Sequence, residues 1–150
     1  MRPASRSAKS QRSIRIGMLL LSVWNPIVTW LIRRGVRVGS LIVLTTAGRR
    51  SGVSRSVPLR AFRDKAGLPL VVAAALGTEA SPAWFLNLTA RKGKALMVSS
   101  GKQLGVEPEV LDGAEHELYW PDIIKQAPRY ARFQARTERR FAIVRLRPHE

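Results

Sequence analysis

Residues 41–59 read LIVLTTAGRRSGVSRSVPL, and this stretch decides the fold. The run from Leu41 to Thr46 is apolar and rich in β-branched residues, which predicts a buried strand. A loop rich in Gly, Ser and Arg follows from Ala47 to Arg55. The run from Ser56 to Phe62 then predicts a second strand. The stretch therefore predicts two antiparallel strands joined by a cationic loop.

The same kind of pattern recurs along the rest of the chain. A turn at Asp64 to Gly67 leads into a third predicted strand, which we expect to continue the first two as an antiparallel meander. The further predicted strands are Leu68 to Ala75, Ala95 to Ser99, one through Val106 and Val110, and Phe141 to Leu146. About six strands without alternating helices predict a mainly β fold that closes into a small barrel.

Helices are predicted only in short pieces. Ser81 as N-cap and Pro82 at the first helical position predict a helix that ends at Ala90. Asp112 and Glu115 form a capping-box pattern that begins another helix. Proline cannot donate the helical hydrogen bond, so Pro121 and Pro128 are expected to divide this second region.

Composition excludes several classes of protein. The chain has 150 residues, 45% of them apolar, which suits one globular domain. It has no cysteine, which excludes disulfides, thiolate metal sites and a cysteine nucleophile. His116 and His149 have no second ligand at metal spacing, so we expect no metal site and place both on the surface.

The positive charge is concentrated in the first part of the chain. The 26 Lys and Arg residues outnumber 10 Asp and Glu, for a net charge of +16. The first 63 residues contain 13 of the basic residues and no acid. Such a field attracts nucleic acid, an anionic membrane or a small polyanionic ligand, and charge alone does not choose among them.

The N-terminal segment, residues 1–37, is predicted to be a basic arm followed by two amphipathic helices. Seventeen uncharged residues run from Ile16 to Ile32. Asn25 and Pro26 predict a break and the start of the second helix, which makes a membrane span unfavourable. Trp24 and Trp30 beside arginines suit a membrane interface, while packing on the domain's own core remains an equal alternative. Residues 38–150 are predicted to form the barrel domain.

The Ala47 to Arg55 loop is the strongest candidate binding site. Its glycines allow sharp turns, and its arginines offer forked cations that suit phosphate or carboxylate groups. The sequence lacks the Lys-Ser or Lys-Thr pair of a nucleotide P-loop. A solvated hairpin tip is the alternative interpretation of this loop.

Two aromatic segments add candidate residues. In PAWFLNL, residues 82–88, helical spacing places Trp84 and Asn87 on one face. In PRYARFQART, residues 128–137, only Tyr130 offers a proton donor. Core packing explains either segment equally well.

Together these segments resemble the deazaflavin-dependent nitroreductase family of actinobacteria, a branch of the split β-barrel flavin and deazaflavin oxidoreductases. The resemblance runs from about Leu41 to Pro148. It rests on four segments in the family's order, namely LTTAGRRSGVSRSVPL, PAWFLNL, WPDIIKQAPRYARFQART and AIVRLRP.

The resemblance implies a split β-barrel that binds coenzyme F420, an 8-hydroxy-5-deazaflavin with a phosphate and an oligoglutamate tail. The cofactor-binding residues that it implies fall into two groups. The phosphate and tail would be held by Arg49, Arg50, Ser51, Gly52 and Arg55. The ring would be lined by Thr45, Thr46, Val57, Pro58, Ala73, Ala74, Ala75, Trp84 and Asn87. Tyr130 is the candidate catalytic proton donor to an electron-poor acceptor that receives hydride.

Departures from the family pattern affect the predicted acceptor. Ala127 and Phe133 stand where the nitroimidazole-reducing member has tyrosines. We therefore expect quinones as the first acceptor class, with nitroaromatic compounds as a further one. A membrane-dissolved quinone would suit a cytoplasmic protein, with peripheral attachment to the inner face of the plasma membrane through residues 1–35 as a further option.

Other readings of the sequence stay open. A non-catalytic module of the same fold would hold a tetrapyrrole, a lipid or the cofactor itself. FMN, which related split barrels use, is a less favoured cofactor than F420 because the loop is so rich in arginine. No nucleic-acid partner is expected, since no recognised binding module accompanies the charge.

Overall fold

The computed structural model describes residues 26–35, 40–90 and 95–149 of the chain. Within these residues, seven antiparallel strands form one sheet with short helices at its margins. The strands are β1 (Leu41–Ala47), β2 (Ser54–Arg60), β3 (Phe62–Arg63), β4 (Pro69–Val72), β5 (Ala95–Ser99), β6 (Lys102–Val110) and β7 (Ile143–Pro148). The helices are α1 (residues 26–33), α2 (Ala83–Ala90), α3 (Gly113–Gln126) and α4 (Arg129–Gln134). The predicted mainly β class is confirmed.

The sheet is curled into a half-barrel. Its strand order is β2-β1-β5-β6-β7-β4-β3, so β2 and β3 lie at opposite ends. Only Ala61 separates these two strands in the chain. In a flat sheet the two outer strands would be about 29 Å apart, at about 4.8 Å per strand, which one residue cannot span. The sheet must therefore curl until its two ends approach each other.

The predicted three-stranded meander holds only in part, because its middle strand is divided between two partners at opposite ends of the strand order. The predicted second strand is divided at Ala61, whose N–H donates to the carbonyl of Ser40 at 2.8 Å. Residues before Ala61 pair with β1, and the two after it pair with β4. Strand β4 then pairs with β7, with Leu70 opposite Arg145. Local sequence patterns do not encode a partner so distant in the chain.

Side-chain alternation gives the sheet two different faces. The inner face carries Ile42 and Leu44 from β1, which pack against Trp84 and Leu88 of α2. The opposite face of β1 carries Val43, which packs against Ile32 of α1. Helix α2 therefore covers the inside of the half-barrel near β1, and α1 covers the outside.

A second cluster fills the space between the sheet and helices α3 and α4. Phe62, Leu70 and Phe141 pack there against Ile123 and other apolar helix residues. His116 also lies here, so its predicted place on the surface was wrong. Its side chain is buried, and Nε2 lies 2.7 Å from the carbonyl oxygen of Phe141. A buried histidine with a backbone partner is an ordinary core residue.

The helices agree with the predictions only in part. Asp112 caps α3 by accepting from the N–H of Glu115 at 3.0 Å, as predicted. Helix α2 begins at Ala83, because the carbonyl of Pro82 accepts the first helical bonds and Ser81 lies outside. Pro121 lies within the continuous helix α3 rather than ending it. Buried residues on both sides of Pro121 keep that helix packed despite one missing donor.

Helix α1 bears out the predicted second helix, and the chain turns away after it at Gly35, which has φ +89°. Ile32 is only 1% exposed, so this helix packs on the domain's own core. Ile27 and Trp30 lie on its other side, 50% and 55% exposed. Among the residues that the structure describes, no helix is long and apolar enough to span a bilayer. The predicted first helix and Trp24 lie outside those residues.

One buried arginine joins β7 to three acidic residues. The Arg145 guanidinium contacts Asp64 at 2.7 Å, Glu115 at 2.6 Å and Glu109 at 3.3 Å. Burial opposes ionisation of Asp64, but hydrogen bonds from the Leu68 N–H and Arg145 outweigh it and lower its pKa. The hydrogen bond from Arg147, together with Arg145, lowers the pKa of Glu109. The cluster ties the turn after β3 to β6, β7 and α3.

This cluster predicts a loss of stability in acid. Both carboxyl groups have a lower pKa in the folded chain, so their contribution is complete above the ordinary values of 3.8 and 4.5 and is lost as pH falls below them. Urea unfolding between about pH 6 and pH 3 should show this decline. Asp64→Asn should reduce the free energy of unfolding by about 2 kcal/mol at pH 7 and flatten the decline. An unchanged pH dependence in Asp64→Asn would contradict the assignment.

Candidate functional site

The loop between β1 and β2 is held tightly by its own backbone. The N–H of Gly48 donates to the carbonyl of Val53 at 2.9 Å, and that of Gly52 donates to Gly48 at 2.8 Å. Gly52 has φ +72°, which glycine adopts without strain. A Cβ at Gly48 would lie 2.7 Å from Ser51 Oγ. The loop therefore closes around small residues and leaves its longer side chains to solvent.

Helix α2 anchors this loop through one side chain. The Oδ1 atom of Asn87 accepts from the Arg49 N–H at 3.1 Å and from the Arg49 guanidinium at 3.2 Å. Asn87 is 6% exposed, so this amide is a buried and specific contact. The structure thus brings Asn87 to the loop, with its oxygen already used by Arg49.

A recess of about 170 Å³ lies between the loop and α2. It is lined by Gly48, Arg49, Arg50, Ser51, Arg55, Ala83 and Asn87. Its three arginines are exposed, and none forms a salt bridge with a carboxylate of the described residues. Three unneutralised guanidinium groups around a recess attract an anion with several charged oxygens. This donor set fits the phosphate and carboxylates of an F420 tail.

The predicted ring-lining residues fall on two faces of the sheet. Thr46 and Val57 share the inner face with Trp84, and Thr46 is 4% exposed. Thr45 and Pro58 alternate with them and therefore point outward. The structure brings the first three side chains together and does not bring the other two to them.

On the outer face, Thr45 belongs to a chain of polar contacts. Its Oγ1 lies 2.7 Å from Ser56 Oγ, and Ser56 accepts from the Arg33 guanidinium at 2.7 Å. Arg33 follows an apolar helical stretch, and sequence reasoning placed it only at the helix end. Its reach to β2 depends on how α1 packs across the sheet.

The alanine segment, residues 73–75, follows β4 and is packed between the two core clusters, with Ala73 in the first and Ala74 in the second. Ala73 and Ala74 are 0% and 6% exposed. Ala75 and Leu76 follow with positive φ values of +45° and +56°, a conformation that costs an L-residue about 1–2 kcal/mol. Arg139, which sequence reasoning missed, donates to the carbonyls of Ala73 and Ala74 at 2.8 Å and 3.0 Å. Such a long-range contact leaves no local signal in the sequence.

Tyr130 is 9% exposed and packs edge-on against Phe62 and Phe133, with ring centroids 5.7 Å and 6.0 Å apart. It belongs to the second core cluster, whereas Trp84 belongs to the first. Its catalytic role stays a prediction.

The half-barrel fold is that of split β-barrel proteins, and solved structures that it resembles include a reductase. The solved structure of an F420-H2-dependent reductase, FDR-A, superposes with a TM-score of 0.62 at 28% identity, covering 74% of this chain and 98% of that one. A structure described as a domain-swapped dimer gives a TM-score of 0.64 at 27% identity, with coverage of 81% and 91%.

The sequence comparisons identify the family. The model of the F420H(2)-dependent quinone reductase family matches residues 31–148, so the chain belongs to that family. The Mycobacterium tuberculosis protein Rv3178, which carries the name of an F420H(2)-dependent quinone reductase, is 28% identical over 107 residues, 71% of this chain and 88% of that protein. The chain is therefore an F420-dependent oxidoreductase with coenzyme F420 as its cofactor.

The anchor between loop and helix gives a second prediction. Asn87→Ala leaves the Arg49 N–H without its acceptor, so the loop should lose its fixed shape and F420 affinity should fall about tenfold. Fluorescence titration with F420 measures this. Thr89→Ala on the same helix is the control, because its hydroxyl bonds only within α2. Equal affinity in the two variants would mean that the anchor does not shape the site.

Proposed function

We propose that this protein reduces a quinone with reduced F420. In this proposal the inner face of the sheet binds the cofactor, and helix α1 on the outer face contacts the membrane. Bound reduced F420 would supply a hydride and release one proton, and the quinone would take up that hydride and one proton to become the quinol, which leaves oxidised F420. The observation that carries the proposal is the recess with three unneutralised arginines beside Asn87. The chain's residues supply binding, orientation and a dry surface.

The arginine loop is the proposed anchor for the cofactor's anionic end. Arg49, Arg50 and Arg55 would pair with phosphate and glutamate oxygens, as forked donors do. The backbone amide of Ser51 lies in the same loop and adds a donor without charge, whereas the Gly52 N–H already donates to the Gly48 carbonyl and shapes the loop instead. Since Arg49 is fixed by Asn87, part of the binding geometry exists before the cofactor arrives.

The proposed place for the ring is the inner face next to this loop. Thr46 and Val57 offer a largely apolar floor there, and Trp84 supplies an aromatic wall. Ala73 to Ala75 would close the other side without polar side chains. An apolar, water-excluding surface favours hydride transfer over loss to solvent. Tyr130 remains the proposed proton donor, which requires its hydroxyl to reach the acceptor when the site is filled.

Quinones are the proposed acceptor class, ahead of nitroaromatic compounds. The family's description supports a quinone. Phe133 packs on Tyr130 without adding a phenol of its own, and the other tyrosine of this cluster, Tyr119, accepts from the Lys65 N–H. Quinone reduction needs that hydride and protons alone, whereas full reduction of a nitro group needs repeated hydride delivery.

Helix α1 supports a further proposal, that the protein lies on an anionic membrane. One side of α1 packs on the sheet through Ile32, and the other presents Ile27 and Trp30. The Arg34 guanidinium lies 4.9 Å from the centre of the Trp30 ring. An exposed tryptophan flanked by arginines is typical of interfacial helices. This supports a cytoplasmic protein attached peripherally to the inner face of the plasma membrane.

The central test is a fluorescence titration with oxidised F420, with FMN as the matched control, at two salt concentrations. We expect F420 to bind and FMN to bind at least about tenfold more weakly, because only F420 carries the oligoglutamate tail. Arg50→Ala should weaken F420 about tenfold and reduce the salt dependence. The same protein samples are then assayed for oxidation of reduced F420 by a soluble quinone. Binding without quinol formation would leave the cofactor proposal and overturn the reaction.

The membrane proposal is tested by flotation with anionic liposomes. The double variant Ile27→Ser and Trp30→Ser should lower the bound fraction several-fold, because the apolar contact with the bilayer is lost. F420 affinity should stay unchanged, since neither residue lines the recess. Leu118→Ser on α3 is the matched control, since Leu118 is 48% exposed. Equal flotation of both variants and the wild type would overturn the proposal.

A further inference from the structure

All three guanidinium nitrogens of Arg139 donate hydrogen bonds to one short backbone segment, residues 73–78. Arg139 donates to the carbonyls of Ala73 at 2.8 Å, Ala74 at 3.0 Å and Thr78 at 2.9 Å. The side chain also lies over the Phe141 ring, 4.9 Å from its centre. Among the described residues Arg139 has no carboxylate partner. Burial lowers its pKa from the ordinary value, yet a guanidinium remains charged in proteins.

The segment that Arg139 holds does not have a relaxed backbone. Ala75 and Leu76 both have positive φ without being glycine. Gly77 follows at φ +79°, and a Cβ there would lie 2.4 Å from the carbonyl oxygen of Phe133. Backbone in this region persists only where surrounding contacts hold it, and such segments concentrate at functional sites.

One further contact joins the segment to the turn after α4, and another holds Arg139 in place. The Arg136 guanidinium donates to the carbonyl of Leu76 at 3.3 Å. Gln134 Nε2 donates to the carbonyl of Arg139 itself at 2.6 Å, which fixes the backbone from which the Arg139 side chain extends. The shape of residues 73–78 is therefore set by residues about sixty positions later in the chain.

The segment has no polar side chains at residues 73–75, so its backbone shape decides what it can bind. Residues 73–75 are all alanine, so a ring bound beside them meets a methyl surface and the backbone. Recognition there depends on where the backbone lies, because alanine has no side-chain donor or acceptor.

We propose that Arg139 is a positioning residue for the cofactor ring, which holds the Ala73–Thr78 backbone in the shape that receives the deazaflavin. This rests on the proposed function. Arg139 acts through the carbonyls of the segment and does not itself touch the cofactor. Its loss should therefore affect the ring part of the ligand and leave the anchoring of the tail intact.

The test compares two ligands, full F420 and the 8-hydroxy-5-deazaflavin compound that lacks phosphate and tail. Arg139→Lys keeps a positive charge and loses the forked geometry. It should weaken both ligands by the same factor, about tenfold. Arg50→Ala should weaken full F420 alone. Arg132→Met, at an exposed arginine of helix α4, is the control and should bind both ligands as the wild type does.

Gly77→Ala tests the same idea without altering any arginine. Its methyl group would push the segment away from Phe133, so it should show the same equal loss for both ligands. Arg136→Met removes a single bond from an exposed residue and should show the same pattern more weakly. It serves where the other variants fail to fold, as judged by circular dichroism.

The outcomes separate this inference from the proposed function. A wild-type protein that binds neither ligand overturns the proposed function. Suppose instead that the wild type binds both ligands, and that Arg139→Lys and Gly77→Ala bind each ligand as tightly as the wild type while melting at lower temperature. The Arg139 contacts then serve stability only, and this inference fails. Amide hydrogen exchange that speeds up at residues 73–78 in Arg139→Lys, together with equal loss of both ligands, supports it.

Discussion

The connection through Ala61 constrains everything else in this fold. Because β2 and β3 are one residue apart in the chain and lie at opposite ends of the strand order, the sheet has to curl. The curl separates an inner face, covered by α2, from an outer face that α1 covers. It also brings the loop after β1 against α2, where Asn87 fixes Arg49. The candidate site therefore exists because the sheet cannot lie flat.

Charge is distributed in opposite ways at two places in the molecule. At Arg145, one guanidinium is surrounded by three carboxylates, so the positive charge is fully compensated and the contact joins strands. In the loop, three guanidinium groups stand together and are uncompensated by any carboxylate that the structure describes. The first arrangement stabilises the fold, and the second leaves positive charge that an anionic ligand can neutralise. The same residue type thus serves stability in one place and binding in the other.

Much of the fold follows from local sequence, because its signals are local. The apolar run from Leu41 predicted β1, and Asp112 predicted the start of α3. The arginines predicted a cationic loop, and they line one recess. The missing parts depend on long-range packing. The division at Ala61, the burial of His116 and the reach of Arg139 to Ala73 each involve a partner distant in the chain. The split of Thr45 and Thr46 between two faces was implicit in strand alternation, but choosing the inner face needed the positions of α1 and α2.

The position of β7 has a consequence for how the chain is made. This strand lies between β6 and β4 in the sheet, yet it follows all the other described strands in the chain. A nascent chain that has emerged only through β6 would hold two separate pieces of sheet, one of β2, β1, β5 and β6 and one of β4 and β3. The two pieces join only when β7 inserts between them, so folding on the ribosome should wait for that strand. Until then two edges that are central in the finished sheet remain open to pairing with other chains.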